Sequence, residues 1–236
     1  MNHIAHIRKL SLYIFLVPFI AVNLCLLISL NWEILEHTVF SVDQIGRSYP
    51  AIPYLDGSLS ISRASRTFPQ YLLFKPSMVL TSFLLFYYWK KNNTLINELK
   101  GVKNINFFFR SFGVMSAFFL IIHSLLLGVE FDIKIFKLLR RLVLLSFIIF
   151  EIVAQSLLVY KLYELRNGIS HLINKNVLYV KIILVSLLSV VAILSIPLLI
   201  SSGNTHFKHA LEWNYFVGVI FFYFLTSRFW RKEKTT

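Results

Sequence analysis

The chain has a single cysteine, Cys25, and it lies inside an apolar run. That count excludes an intrachain disulfide and a zinc site built from several thiolates. A lone Cys in such a run behaves as a small hydrophobe. Charge is scarce too: Asp, Glu, Lys and Arg make up 15% of the 236 residues, where soluble domains sit near a quarter. GxSxG, Walker A, the dinucleotide-binding glycine fingerprint and CxxC are all missing. The common signatures of serine hydrolases, NTPases, nucleotide-cofactor enzymes and thiol redox proteins are therefore absent. No low-complexity tract and no internal repeat in the solenoid range is visible. The two halves of the chain do not match in motif, which argues against an inverted-repeat transporter.

What is present is apolar: 57% of residues are hydrophobic, with a mean hydropathy of +0.68. These residues gather into blocks at 11–30, 71–89, 107–129, 142–160, 177–200 and 211–230. Each approaches the roughly 20 residues needed to cross about 30 Å of hydrocarbon. The expectation is an all-α integral membrane protein with six spans in one bundle, residues 1–236 forming a single domain. The first block follows Arg8 and Lys9, as a signal peptide would. However, the run is too long, and NWEILEH follows in place of a small-residue cleavage site, so it reads as a retained span. The second block ends in Tyr87-Tyr88-Trp89 and then Lys90-Lys91, a typical finish at a membrane interface.

A formal net charge of +13 invites a nucleic-acid reading. The cations flank apolar blocks and do not form a stripe interleaved with aromatics, so no nucleic-acid partner is expected. They speak to orientation. The N-terminus, the connections between spans two and three and between four and five, and the C-terminus hold 15 Lys and Arg, with Lys181 counted in the second of those connections. The opposite side has 9, of which Lys134, Lys137, Arg140 and Arg141 crowd one loop. The positive-inside rule then places both termini in the cytoplasm. Asn92-Asn93-Thr94 fits the glycosylation pattern but falls on that cytoplasmic side.

The long outer loop, 31–70, holds most of the polar signal. Its stretch SYPAIPYLDGSLSISRASRTFPQY is rich in turn formers; Asp56-Gly57 marks a turn, and Pro50 and Pro53 favour extended backbone before it. Arg63 and Arg66 are three apart, so a short helix would put both on one face. Paired guanidiniums near headgroups suit phosphate or carboxylate, or they simply anchor the loop by snorkelling. Glu151 falls mid-way along the fourth block with Gln155 one turn on. At that depth it must face the bundle interior, either as a proton-handling or ligand-contacting group, or hydrogen-bonded to a Ser or Asn of a neighbouring helix. His123 lies in the outer half of the third block and reads as an interior histidine or a ligand contact. His206, His209 and Glu212 are spaced by three and lead into the last span. That loosely resembles a metal-ligand pattern but lacks HExxH, and no metal or other cofactor is expected. His206, His209 and Glu212, together with Asp56, Arg63, Arg66 and His123, would define a polar outer-leaflet rim.

The stretch YPAIPYLDGSLSISRASRTFPQYLLFKPSM, running into a helix that ends FYYW, resembles the first outer loop and second helix of the damage-regulated autophagy modulator (DRAM) family. Its superfamily includes the post-GPI-attachment lipid-remodelling factors and the N-terminal region of yeast cell-wall proteins that exchange GPI lipids. The last helix, HFKHALEWNYFVGVIFFYFLTSRFW, resembles theirs, where an acidic-aromatic pair (here Glu212-Trp213) follows a short outer loop and an aromatic pair closes the span. The motifs occupy about 49–89 and 207–230, and the six-helix layout covers the rest. Members often carry loop cysteines and a Ser-Asp or Pro-Glu pair; this loop has neither, reading Leu55-Asp56-Gly57 and Ser62-Arg63-Ala64. The resemblance implies a membrane protein of lipid remodelling, lipid distribution or trafficking, and brings no settled catalytic mechanism.

The leading expectation is binding or processing of a membrane lipid at the outer or lumenal leaflet. Arg63 and Arg66 would hold an anionic headgroup, and Glu212, Asp56 and His123 would orient polar groups. One rival is an intramembrane acyltransferase or lipid hydrolase using His123, His206 or His209. Another is a proton-coupled carrier using Glu151. A scaffold for other membrane proteins is a third.

Overall fold

The structure, a computed structural model, describes residues 2–35, 38–39, 51–102, 105–129, 134–200 and 203–231. Among these every regular element is helical, apart from a single bridge pairing Ile173 with Trp230. The eight α-helices are α1 (Asn2–Leu30), α2 (Pro53–Asp56), α3 (Ile61–Ser65), α4 (Gln70–Lys100), α5 (Phe108–Leu126), α6 (Lys134–Leu165), α7 (Lys175–Ile200) and α8 (Thr205–Phe229). Arg47 and Pro50 of the long loop lie outside the described residues.

The helices overrun the apolar blocks that reveal them. Arg8 and Lys9 belong to α1, Lys90 and Lys91 sit inside α4, and Arg140 and Arg141 occupy the second turn of α6 rather than a loop. A helix does not end where hydrophobicity ends; it ends where its last carbonyls find other partners. For α4 that point is Gly101, left-handed at φ 64°, whose N–H returns to the carbonyls of Asn97 and Glu98.

Each long helix packs on the next in sequence, from α1 on α4 through α7 on α8, and α8 returns to α1 to close a ring. Successive long helices run antiparallel, so the ring has two ends. At the terminal end His3 meets Glu98 at 3.2 Å, Lys100 meets Glu164 at 2.6 Å, and Arg8 donates to the Ser227 carbonyl at 3.2 Å. There too the α6–α7 turn clasps the end of α8: Asn174 N–H to Phe229 O, and Arg231 N–H to Leu172 O, both at 2.8 Å. The other end, here the loop end, carries α2 and α3.

Five helices (α1, α4, α5, α6 and α7) are long and apolar enough to cross a membrane. Even α5, the shortest at 19 residues, reaches about 28 Å at 1.5 Å per residue. α8 matches them in length but not in apolarity, because its first turns read THFKHALEWN. Large side chains point outward along the ring, among them Ile183 (67% exposed), Ile193 and Leu194 (71%) of α7. A belt of this kind would aggregate in water and is the natural surface of a protein in lipid. The composition and this outward belt define the chain as a membrane protein.

Inside the ring the packing is aromatic. Tyr88, Trp89, Trp213, Phe222, Tyr223 and Phe229 are all fully buried. The Tyr88 ring meets Trp89 and Tyr223 edge-on at 5.1 and 5.0 Å. This corrects the expectation that Tyr87, Tyr88 and Trp89 lie together at the interface. Successive helical residues are about 100° apart, so Tyr87 faces outward while its two neighbours turn in. Gly113 of α5 makes room for Trp89, since a Cβ there would lie 2.3 Å from the indole ring. A Gly113→Ala variant should lose about 1–3 kcal/mol of stability, read as a lower Tm in detergent by tryptophan fluorescence. Gly168→Ala, which meets nothing closer than 3.8 Å, should melt like the parent.

Candidate functional site

At the loop end, residues 51–66 fold into a small cap. Pro53 opens α2 with its φ already helical. Asp56 closes it, accepting from the N–H groups of Ser58 at 2.7 Å and Ile52 at 2.9 Å. Slight desolvation of this carboxyl is outweighed by those two N–H groups, which hold it below the usual carboxylate range. Gly57 then turns with φ 60°, and a Cβ there would sit 1.7 Å from the carbonyl oxygen of His206. Only glycine meets both demands. Ser60 caps α3 by accepting from Arg63 N–H at 3.2 Å.

The cap is stapled to α8 at three levels. His209 Nδ1 bonds Gly57 O at 3.0 Å, Trp213 Nε1 donates to Leu59 O at 2.7 Å, and Asn214 Nδ2 donates to Tyr54 O at 2.7 Å. Positions 209 and 213 are one turn apart, so a single face of α8 reads the carbonyls of the loop. The Tyr54 ring packs on Trp213 at 4.9 Å, and its hydroxyl donates to Asn23 of α1 at 2.9 Å. The N–H groups of Ser62 and Ile61 hydrogen-bond the Glu212 carboxyl. On the α1 side, Ser29 Oγ donates to Ala64 O at 3.0 Å and the Cys25 thiol to Gln70 O at 3.3 Å.

The expected rim is therefore divided. Asp56, His209 and Glu212 are brought together, but all three bond loop backbone and shape the cap. Arg63 is exposed and Arg66 half-buried, just after the short helix expected for them, and among the described residues neither has an acidic partner. The Arg66 carbonyl lies against Gly128 of the α5–α6 turn, 2.9 Å from where a Cβ would be. At the same turn Arg140 of α6 donates to Val129 O at 3.4 Å. Among the described residues, the charged groups on the side of the rim facing α5 and α6 are the cations Arg66 and Arg140. Among the described residues no three His, Cys, Asp or Glu side chains converge as metal ligands would.

Glu151 sits apart from the rim, fully buried at the centre of the ring. Ser116 Oγ of α5 donates to it at 2.5 Å, Gln155 Nε2 at 3.0 Å, and the Tyr223 hydroxyl of α8 closes the set. Gln155 also donates to the Val219 carbonyl of α8 at 3.2 Å. The interior placement agrees with the sequence expectation, and the serine on a neighbouring helix is one of the alternatives stated for Glu151. Sequence reasoning missed what surrounds them. Lys181, counted among loop cations, is fully buried in α7. Its ammonium donates to Thr226 Oγ1 at 2.7 Å and lies 3.9 Å from the Phe222 ring centre. Thr226 in turn lies 3.4 Å from the Tyr88 hydroxyl. A lysine seven residues into a helix and flanked by apolar neighbours (LYVKIILV) was the signal available.

Comparison with family models, with curated proteins and with solved structures finds no match to this chain. The site must speak through its own chemistry: a guanidinium pair on a braced cap, with no acidic partner among the described residues, and a saturated carboxyl binding three helices from within. Glu151→Ala, which strands the Ser116, Gln155 and Tyr223 groups, should cost about 3 kcal/mol. Glu151→Gln keeps an acceptor at that place and should cost distinctly less. Thermal melts of the two variants in one detergent check this, and equal losses would show that the hydrogen bonds do not matter.

Proposed function

We propose that the protein is a multi-pass membrane protein that binds an anionic lipid headgroup at the outer or lumenal leaflet, on the folded first loop. In this reading α1, α4, α5, α6, α7 and α8 are six spans, and both termini face the cytoplasm. One observation carries the binding reading. Arg63 and Arg66 have no acidic partner among the described residues, while the acids of the cap, Asp56 and Glu212, are taken up by backbone N–H groups. Guanidiniums held free on a braced surface are suited to bidentate recognition of phosphate. Free cations on a floppy loop would lose more entropy on binding.

The lipid-remodelling role suggested by the resemblance to the DRAM family gains support from the way the cap is built. The two segments that carry the resemblance are in direct contact, through Trp213 on Leu59, His209 on Gly57 and Asn214 on Tyr54. Binding or presentation of lipid is favoured over bond-making, because His209 is engaged with a loop carbonyl and, among the described residues, no three His, Cys, Asp or Glu side chains converge.

Native mass spectrometry with lipidomics on the gently purified protein is the direct test. A specific anionic lipid should accompany the parent and be lost from Arg63→Ala/Arg66→Ala. An unchanged lipid complement in the variant would overturn the site. Orientation is tested by thiol labelling of intact cells in a Cys25→Ser background. Leu55→Cys, on the exposed cap, should label from outside or the lumen, and His171→Cys, in the α6–α7 turn, only after permeabilisation. Labelling of both from one side would refute the antiparallel spans.

A further inference from the structure

At the terminal end, a polar cleft of about 430 Å³ opens between the last turns of α4 and the start of α5. That volume is in the range of small-ligand sites, roughly 300–1,000 Å³. One wall is a single face of α4: Lys90, Asn93, Asn97 and Glu98 recur at helical spacing. Asn106 and Arg110 form the other wall.

The walls are braced by the asparagines. Asn93 and Asn97 both donate to Ile105 O at 2.9 Å, and Asn93 also accepts from Phe107 N–H at 2.9 Å. These bonds hold the connection from α4 to α5 in one shape. The Arg110 guanidinium is positioned by the amide oxygen of Asn106, a neutral group that does not compensate its charge. Lys90 is exposed, and among the described residues neither cation has an acidic partner. The carboxylate of the cleft, Glu98, is turned to His3 at 3.2 Å. The positive end of the α5 dipole adds to the same field, with no acid in its first turn.

Depth argues for the source of the ligand. Lys90 follows Tyr87, whose ring is on the outer surface of the ring of helices, and then the apolar belt of α4 gives way to polar residues. The cleft therefore lies at the edge of the apolar surface, where headgroups of a bilayer would be. An outward phenol ring followed by cations marks that layer.

We propose that this cleft binds the phosphate of a phospholipid headgroup from the leaflet on the terminal side, with Lys90 and Arg110 as the phosphate ligands. The site is distinct from the Arg63/Arg66 cap at the other end, and rests only on the helices crossing a membrane.

The test is titration of the full-length protein in phosphatidylcholine nanodiscs with phosphatidic acid, followed by native mass spectrometry. It is run on the parent and on Arg63→Ala/Arg66→Ala, so the loop end contributes nothing to the second series. In both, Lys90→Ala/Arg110→Ala should weaken binding roughly thirtyfold, the effect of two cations near a membrane surface. Glu98→Gln should strengthen it severalfold, a change of sign that mere misfolding would not produce. Binding that persists in Lys90→Ala/Arg110→Ala, or is unmoved in Glu98→Gln, overturns the site. Inorganic phosphate and glycerol 3-phosphate serve as competitors. Weak competition supports a lipid ligand, and displacement of the lipid at equal concentration would overturn the lipid assignment in favour of a soluble phosphate. Loss of binding in the Arg63→Ala/Arg66→Ala series alone would place phosphatidic acid at the loop end and refute the cleft.

Discussion

The carboxyl of Glu151 is cut off from solvent at the middle of the helix ring, and it must find every hydrogen bond within the protein. That constraint fixes how three helices face one another. Ser116 has to come from α5 and Tyr223 from α8, while Gln155, one turn along α6, reaches on to the backbone of α8. Rotating α6 by one residue would swing the carboxyl about 100° away from both partners. The aromatic packing follows from the same registration. With Tyr223 held on Glu151, Tyr88 and Trp89 fill the space beside it, and the missing side chain at Gly113 admits the indole.

Dispersion alone holds apolar helices together weakly in lipid, since the tails around them are equally apolar. Polar ties must supply the specificity, and here they sit at three depths. Glu151 acts at the centre. The Trp213 and His209 bonds to loop carbonyls act at one end, and the clasp between residues 172–174 and 229–231 acts at the other. Lys181 adds a fourth contact between α7 and α8, its ammonium shared between a threonine hydroxyl and aromatic faces. α7 is otherwise the least enclosed of the candidate spans, so this contact is well placed to hold it to the ring.

Both ends of the ring share one electrostatic plan. Among the described residues, the acids of the two ends have other partners: Asp56 and Glu212 with loop N–H groups, Glu98 with His3, Glu164 with Lys100 and Lys161. The cations Arg63, Arg66, Lys90 and Arg110 are left without such partners among the described residues. An excess of Lys and Arg spread along a sequence is only a bias; directed use of the few acids turns it into surfaces that can hold phosphate.

Much of this was legible in the sequence. Blocks of apolar residues long enough to cross a bilayer revealed each long helix, because the hydrophobic requirement is set by thickness and needs no partner. The turn at Asp56-Gly57 and the inward-facing Glu151 were legible for similar reasons: left-handed backbone and a buried charge each have few solutions. The sequence could not decide which residues would share a hydrogen bond. Asp56, His209 and Glu212 read as a ligand-facing rim, and only the packing of α2 and α3 on α8 showed them turned to the loop backbone. Tyr87-Tyr88-Trp89 read as one interface cluster, and Lys181 as a loop cation, until helix rotation and neighbouring helices turned Tyr88, Trp89 and Lys181 inward. The local chain determines which segments are helical and how long they are. Which face of each helix is inside depends on partners as much as 150 residues away, such as Leu59 for Trp213, and that is decided only when the ring closes.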